Sequence, residues 1–113
     1  MKDRFCITVC GKSAHGSAPH RGCDAILAAA AIVQSLQTFA SRRNNPNETF
    51  ALTVGKMEGG TKENIIADQV WLEGMTITEN EAFRKKLPEQ MEGMVQSIAE
   101  GYGCSVIFRF LNL

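Results

Sequence analysis

The sequence has no charge of one sign in excess: twelve Lys and Arg are matched by twelve Asp and Glu, for a formal net charge of zero. A general nucleic-acid or anionic-membrane binder carries a basic surplus, so the charge balance argues against both. Long hydrophobic runs are missing as well. The longest apolar stretch, from Ala25 to Val33, is nine residues and mostly alanine, against the roughly twenty that a membrane span needs. Aromatics are scarce, and Trp71 is the one strong candidate for a base-stacking platform, which leaves RNA recognition on a sheet surface without its usual rings. Cysteines number four, at positions 6, 10, 23 and 104. That density requires no disulfide framework, and Cys6 and Cys10 would stand about 13 Å apart along one strand, too far to bridge. Free thiols and a cytoplasmic setting are the expectation, and the first residues lead into a strand pattern with no apolar signal segment.

What is present is an ordinary globular composition, 44% hydrophobic and 21% charged over 113 residues. This length supports one domain, residues 1–113, with one core and no need for metal or disulfide staples. Phe5, Ile7 and Val9 alternate with Cys6, Thr8 and Cys10 and predict a first strand. Residues 11–22 are too rich in glycine and serine for regular structure. A helix is predicted from near Cys23 to Ser41, with Ile26, Ala29, Ala30, Val33, Leu36, Gln37 and Ala40 on one face and Arg42 and Arg43 at its negative end. Pro46 and its flanking asparagines stop it. Alternation at Phe50, Leu52 and Val54 predicts a second strand to Met57, and residues 58–64 form a loop. A third strand covers 68–78, with Val70, Leu72 and Thr76 on one face and Trp71, Glu73, Met75 and Ile77 on the other. A second helix covers 80–102 through Phe83, Leu87, Met91, Met94, Val95, Ile98 and Tyr102, with Pro88 expected to kink it or split off a first turn. Gly103 stops that helix, and Val106, Phe108 and Phe110 mark a last strand over 104–111. The order β-α-β-β-α-β with right-handed crossovers predicts an α+β, ferredoxin-like fold, a four-stranded antiparallel sheet with two helices on one face.

The only histidines, His15 and His20, share the first loop. Neither has a partner at the spacing of a catalytic triad. Cys10, His15, His20 and Cys23 are zinc-ligand types, but their spacing fits no finger or ribbon, and reduced thiols beside loop histidines are the simpler reading. Gly59 and Gly60 read either as a backbone-donor nest or as a turn, and Asn64 as a local turn-former. Met91 and Met94, at helical spacing, read as core.

The run from Gly11 to Ile26, through Lys12, His15, Gly16, Pro19, His20, Gly22 and Asp24, resembles the lid-domain entry of the M20 metallopeptidase family. The nearest branch is the amidohydrolases related to hippurate hydrolase and the auxin-amino-acid conjugate hydrolases, with the pattern G-K-G-x-H-G-x-x-P-H-x-G-x-D-x-I. The resemblance continues through Leu52-Thr53-Val54-Gly55, Gly59-Gly60-Thr61, Asn64-Ile65-Ile66-x-Asp68 and Leu72-Glu73-Gly74, over nearly the whole chain. It implies a lid and dimerisation domain whose divalent metal, zinc or manganese, sits in a catalytic domain absent from this chain, which therefore holds no cofactor and is inactive alone. The parent implied is a metal-dependent hydrolase of N-acyl amino acid or peptide-like amide bonds. His15 would reach the partner subunit's site and donate to the oxyanion, with Asn64, Gly59 and Gly60 binding substrate. A homodimer would form through the helix from Cys23 to Ser41 and the strand from Phe50 to Met57. Two departures stand out: Ile77 occupies the place of a family Arg that grips a substrate carboxylate, and Ala67 replaces a proline. The competing reading is a stand-alone ferredoxin-like module that binds a small molecule or regulates.

Overall fold

The computed structural model describes residues 1–112. Strands β1 (Lys2–Cys10), β2 (Phe50–Gly59), β3 (Gln69–Thr78) and β4 (Ser105–Asn112) alternate with helices α1 (Ala25–Leu36) and α2 (Glu81–Gly101). The sheet order is β2-β3-β1-β4 with every neighbour antiparallel. This is the ferredoxin-like arrangement expected from the sequence. One sheet face carries Phe5, Ile7, Val9, Val70 and Leu72, all shielded from solvent under the helices. The opposite face, with Cys6, Thr8, Trp71, Glu73, Met75 and Ile107, has no layer over it among the described residues, although Trp71, Glu73 and Met75 are half-buried there.

The ends of the helices depart from the periodicity reading for identifiable reasons. Cys23 lies outside α1, because its backbone pairs with Lys12 (2.9 and 3.0 Å) and Asp24 takes the N-cap. The Asp24 carboxylate accepts from the amides of Ile26 (3.0 Å) and Leu27 (3.3 Å), satisfying donors that a helix start leaves orphaned. Beyond Leu36 the chain loosens into a π-helical turn at Phe39–Arg43. The buried stripe of α1 is Ala25, Ala28, Ala29, Ile32 and Leu36, about one residue rotated from the face expected. Ile26 and Leu27 are instead 43% and 56% exposed, and Ala30, Gln37 and Ala40 also face outward. An alanine-rich helix is apolar on nearly all sides, so its pattern alone does not choose the face that packs.

In α2 the stripe Leu87, Met91, Val95 and Ala99 is fully buried, whereas Tyr102 is exposed. The helix is continuous through Pro88 and is not split. A proline in a helix interior costs about 3 kcal/mol or more, and burial of one large apolar side chain recovers roughly 1.5–3 kcal/mol, so the packed stripe offsets the missing amide. Gly103 (φ +75°) ends the helix, with the Cys104 amide on the Ala99 carbonyl (2.8 Å) and the Gly103 amide on Glu100 (3.0 Å). This pairing is the Schellman arrangement, and it needs the left-handed conformation that glycine adopts freely.

The two ends of the sheet differ. At one end Asp3 is opposite Asn112, so the first and last strands start and finish side by side. There Asp3, fully buried, accepts from Arg84 of α2 through both carboxylate oxygens at 2.7 Å. That hydrogen bonding pushes the guanidinium above its ordinary value. The loop carrying His15 leaves the opposite end of β1.

Candidate functional site

The β1–β3 ladder does not stop at Cys10 and Gln69. The Gly11 amide donates to the Asp68 carbonyl (2.8 Å), the Ile66 amide to Ala14 (2.9 Å) and the Gly16 amide to Asn64 (2.8 Å), with His15 bridged to Ile65. The first loop holds one extra residue in this stretch, where Lys12 turns aside to pair with Cys23. That one-residue bulge re-aims the chain so that His15 and Asn64 emerge on adjoining segments. A Cβ on Gly16 would come 3.0 Å from the Asn64 carbonyl oxygen, so glycine is what lets the two segments close up.

His15 is exposed, but its ring is not free. Nδ1 lies 3.0 Å from the Ser17 amide nitrogen and 2.7 Å from the Ser17 hydroxyl. The backbone is held too, by the Ala18 amide on the His15 carbonyl (2.8 Å). Ser17 escaped the sequence reading; a short hydroxyl residue two positions after a loop histidine is the signal that marks it. His20 sits apart, exposed in a one-turn 3-10 helix at Pro19–Arg21.

Gly59 ends β2 opposite Val70, and a Cβ there would meet the Gln69 carbonyl oxygen at 2.7 Å, so strand packing already accounts for that glycine. Gly60 takes φ +90° and lies against Ile26 at the start of α1. Ile77 pairs with Lys2 and Ala51, about 26 Å along β3 from Gln69. Within one chain, the place of the family Arg is therefore remote from His15. The four cysteines are free. Burial pushes the Cys104 thiol up, and the thiols of Cys23 and Cys10 and the Asp24 carboxylate add to the effect. Among the described residues no group of three or more His, Cys, Asp or Glu could hold a metal ion, and the zinc-type set of Cys10, His15, His20 and Cys23 does not converge. Cavities of about 360 and 330 Å³ lie away from His15, one lined by Asn47, Glu48, Thr49, Glu79 and Asn80, the other on the open face between Arg4 and Met75.

Together these features define an α+β module of ferredoxin-like type that presents an oriented imidazole on an exposed loop. The peptidase dimerisation domain of the M20 family matches residues 3–103. An N-acyl-L-amino acid amidohydrolase from Geobacillus stearothermophilus is 39% identical over 108 residues, 96% of this chain and 29% of its own length. A protein of methicillin-resistant Staphylococcus aureus, provisionally classed as an aminohydrolase, superposes with a TM-score of 0.92 at 32% identity, covering 98% of this chain and 30% of that one. The Bacillus subtilis YXEP protein, a dinuclear metal-binding M20 peptidase, gives 0.74 at 29% identity over 97% of this chain and 25% of its own. The chain belongs to the M20 peptidase dimerisation-domain family. It spans under a third of the length of these relatives, and no helix of the described residues is long and apolar enough to cross a membrane.

Proposed function

We propose that this domain pairs two copies of a metal-dependent amidohydrolase acting on N-acyl amino acid or peptide-like amides, and that His15 serves the active site of the opposite subunit. The observation that carries this reading is distance. Both strand ends near Asp3 and Asn112 lie at one end of the sheet, and the nine residues of β1 separate them from the His15 loop, about 30 Å at the usual rise. If a catalytic part is attached through those strand ends, its point of attachment lies about 30 Å from its own chain's His15, which favours service to a second subunit. Among the described residues none fits a metal centre, and the divalent metal is assigned to the catalytic part of the parent, in line with the dinuclear metal binding of the Bacillus subtilis relative.

The chemistry of this chain's own residues is hydrogen-bond donation. An imidazole N–H directed at the amide carbonyl oxygen gains strength as negative charge builds there, so it favours the transition state over bound substrate. Asn64 emerges on the adjoining segment and would bind substrate beside His15; Gly59, already required by strand packing, and Gly60 would let the neighbouring loop approach the substrate backbone. Pairing is supported by α1, which has no charged residue in its twelve and leaves Ile26, Leu27 and Ala30 uncovered beside the β2 edge, where Met57 is also 46% exposed. An unpaired strand edge flanked by an uncharged helix face is a natural surface for a two-fold partner.

Two measurements test the proposal. His15→Ala in the intact enzyme is expected to lower kcat by about 10²–10³-fold with metal content unchanged; equal turnover removes His15 from the mechanism. Light scattering of the chain at tens of micromolar is expected to give a dimer, and a monomer alone refutes the pairing surface.

A further inference from the structure

We propose that Ser17 is a positioning residue that fixes the tautomer of His15, holding the proton on Nε2 so that the ring presents a donor. This rests on the role assigned to His15 above, but the geometry behind it is independent of any substrate. A backbone amide can only donate. Its approach to Nδ1 at 3.0 Å therefore requires a lone pair on that nitrogen. The Ser17 hydroxyl, 2.7 Å from the same atom, can rotate to donate as well. With the proton on Nδ1 instead, the ring N–H would face the amide N–H head-on, and only the hydroxyl could accept. A neutral imidazole carries one proton, so a lone pair on Nδ1 places it on Nε2.

The consequence is the sign of the interaction at the outer nitrogen. Nε2–H attracts a developing oxyanion, whereas a bare Nε2 lone pair repels it. The clamp also fixes ring direction on a loop exposed to water, where the Ala18 turn and the Ile65 bridge already hold the backbone. The residue two places after the histidine thus biases the ring toward the form that can assist.

Long-range ¹H–¹⁵N correlation spectra of the ¹⁵N-histidine-labelled chain, with His20→Gln to leave one ring, read the tautomer directly at a pH where free imidazole is neutral. The expected spectrum has Nδ1 unprotonated and Nε2 protonated, with Ser17→Ala, which keeps the amide donor and loses only the hydroxyl, moving both resonances part of the way toward the averaged values of free imidazole and Ser17→Thr keeping them. A protonated Nδ1, or a Ser17→Ala spectrum identical to wild type, overturns the proposal. In the intact enzyme Ser17→Ala is expected to lower kcat about two- to tenfold, the worth of one ordinary hydrogen bond, with KM little changed and Ser17→Thr restoring it. If His15→Ala leaves turnover intact while the Nε2–H signature persists, the functional reading fails and the clamp stands; the opposite pair of results fails the clamp alone.

Discussion

The two ends of this sheet handle polar groups in opposite ways. At the end where β1 begins, Asp3 is fully buried and doubly paired with Arg84, under a helix capped by Asn80. At the other, His15, Ser17 and Asn64 stand exposed on loops held by backbone hydrogen bonds and little else. One end uses charge to fix a helix on a strand; the other leaves its polar side chains available to something outside the chain. Stability and presentation are thereby separated along a single strand pair, and substitutions at the two ends should behave differently.

The sharpest contrast is in unfolding free energy. Arg84→Ala leaves the buried Asp3 carboxylate without its partner and is expected to cost about 3–5 kcal/mol, whereas His15→Ala should stay within about 0.5 kcal/mol of wild type. Urea denaturation of both variants reads the difference, and similar losses would erase the comparison. A smaller effect comes from Thr76, opposite Asp3 on β3, whose buried hydroxyl oxygen has no hydrogen-bond partner among the described residues. Thr76→Val removes an unsatisfied group at constant shape, and a gain of about 1 kcal/mol is expected in the same assay; a loss would mean that the hydroxyl is paired. The smallest belongs to Cys104, at the His15 end. Its folded thiol titrates above the ordinary 9.0, so above that pH the unfolded chain sheds a proton that the folded chain keeps. Stability is then full below the ordinary value and falls as pH rises past it toward the folded one. Thermal melts across that range should show the decline, flattened in Cys104→Ser.

Much of this architecture is legible in the chain because the strands alternate cleanly. Phe5, Ile7 and Val9 could take only one face of a sheet, and Gly103 marks the end of the second helix, whereas α1 ends at Leu36, ten residues short of Pro46. The face of α1 was not legible, because Ile26 and Leu27 are as apolar as the Ile32 and Leu36 that won the core. The sequence also could not tell that Asp3, an ordinary charged residue near the start, would be buried by Arg84 eighty-one positions away. At the site, His15 and Asn64 were recognisable from the run of residues around them, yet their adjacency depends on the extra residue that Lys12 introduces. Ser17 lay hidden between better-known neighbours, since a serine in a glycine-rich loop looks like solvated punctuation until its hydroxyl is seen on a ring nitrogen.

The claim that His15 works across the dimer is most directly tested by subunit mixing. A protomer carrying His15→Ala is combined with one inactivated by substitution in its catalytic part, each inactive as its own homodimer. Random pairing makes half the dimers mixed, each with one site that joins an intact catalytic part to an intact His15, so activity should return to about one quarter of wild type. If the mixture stays as inactive as its two components, His15 acts within its own chain and the account is contradicted.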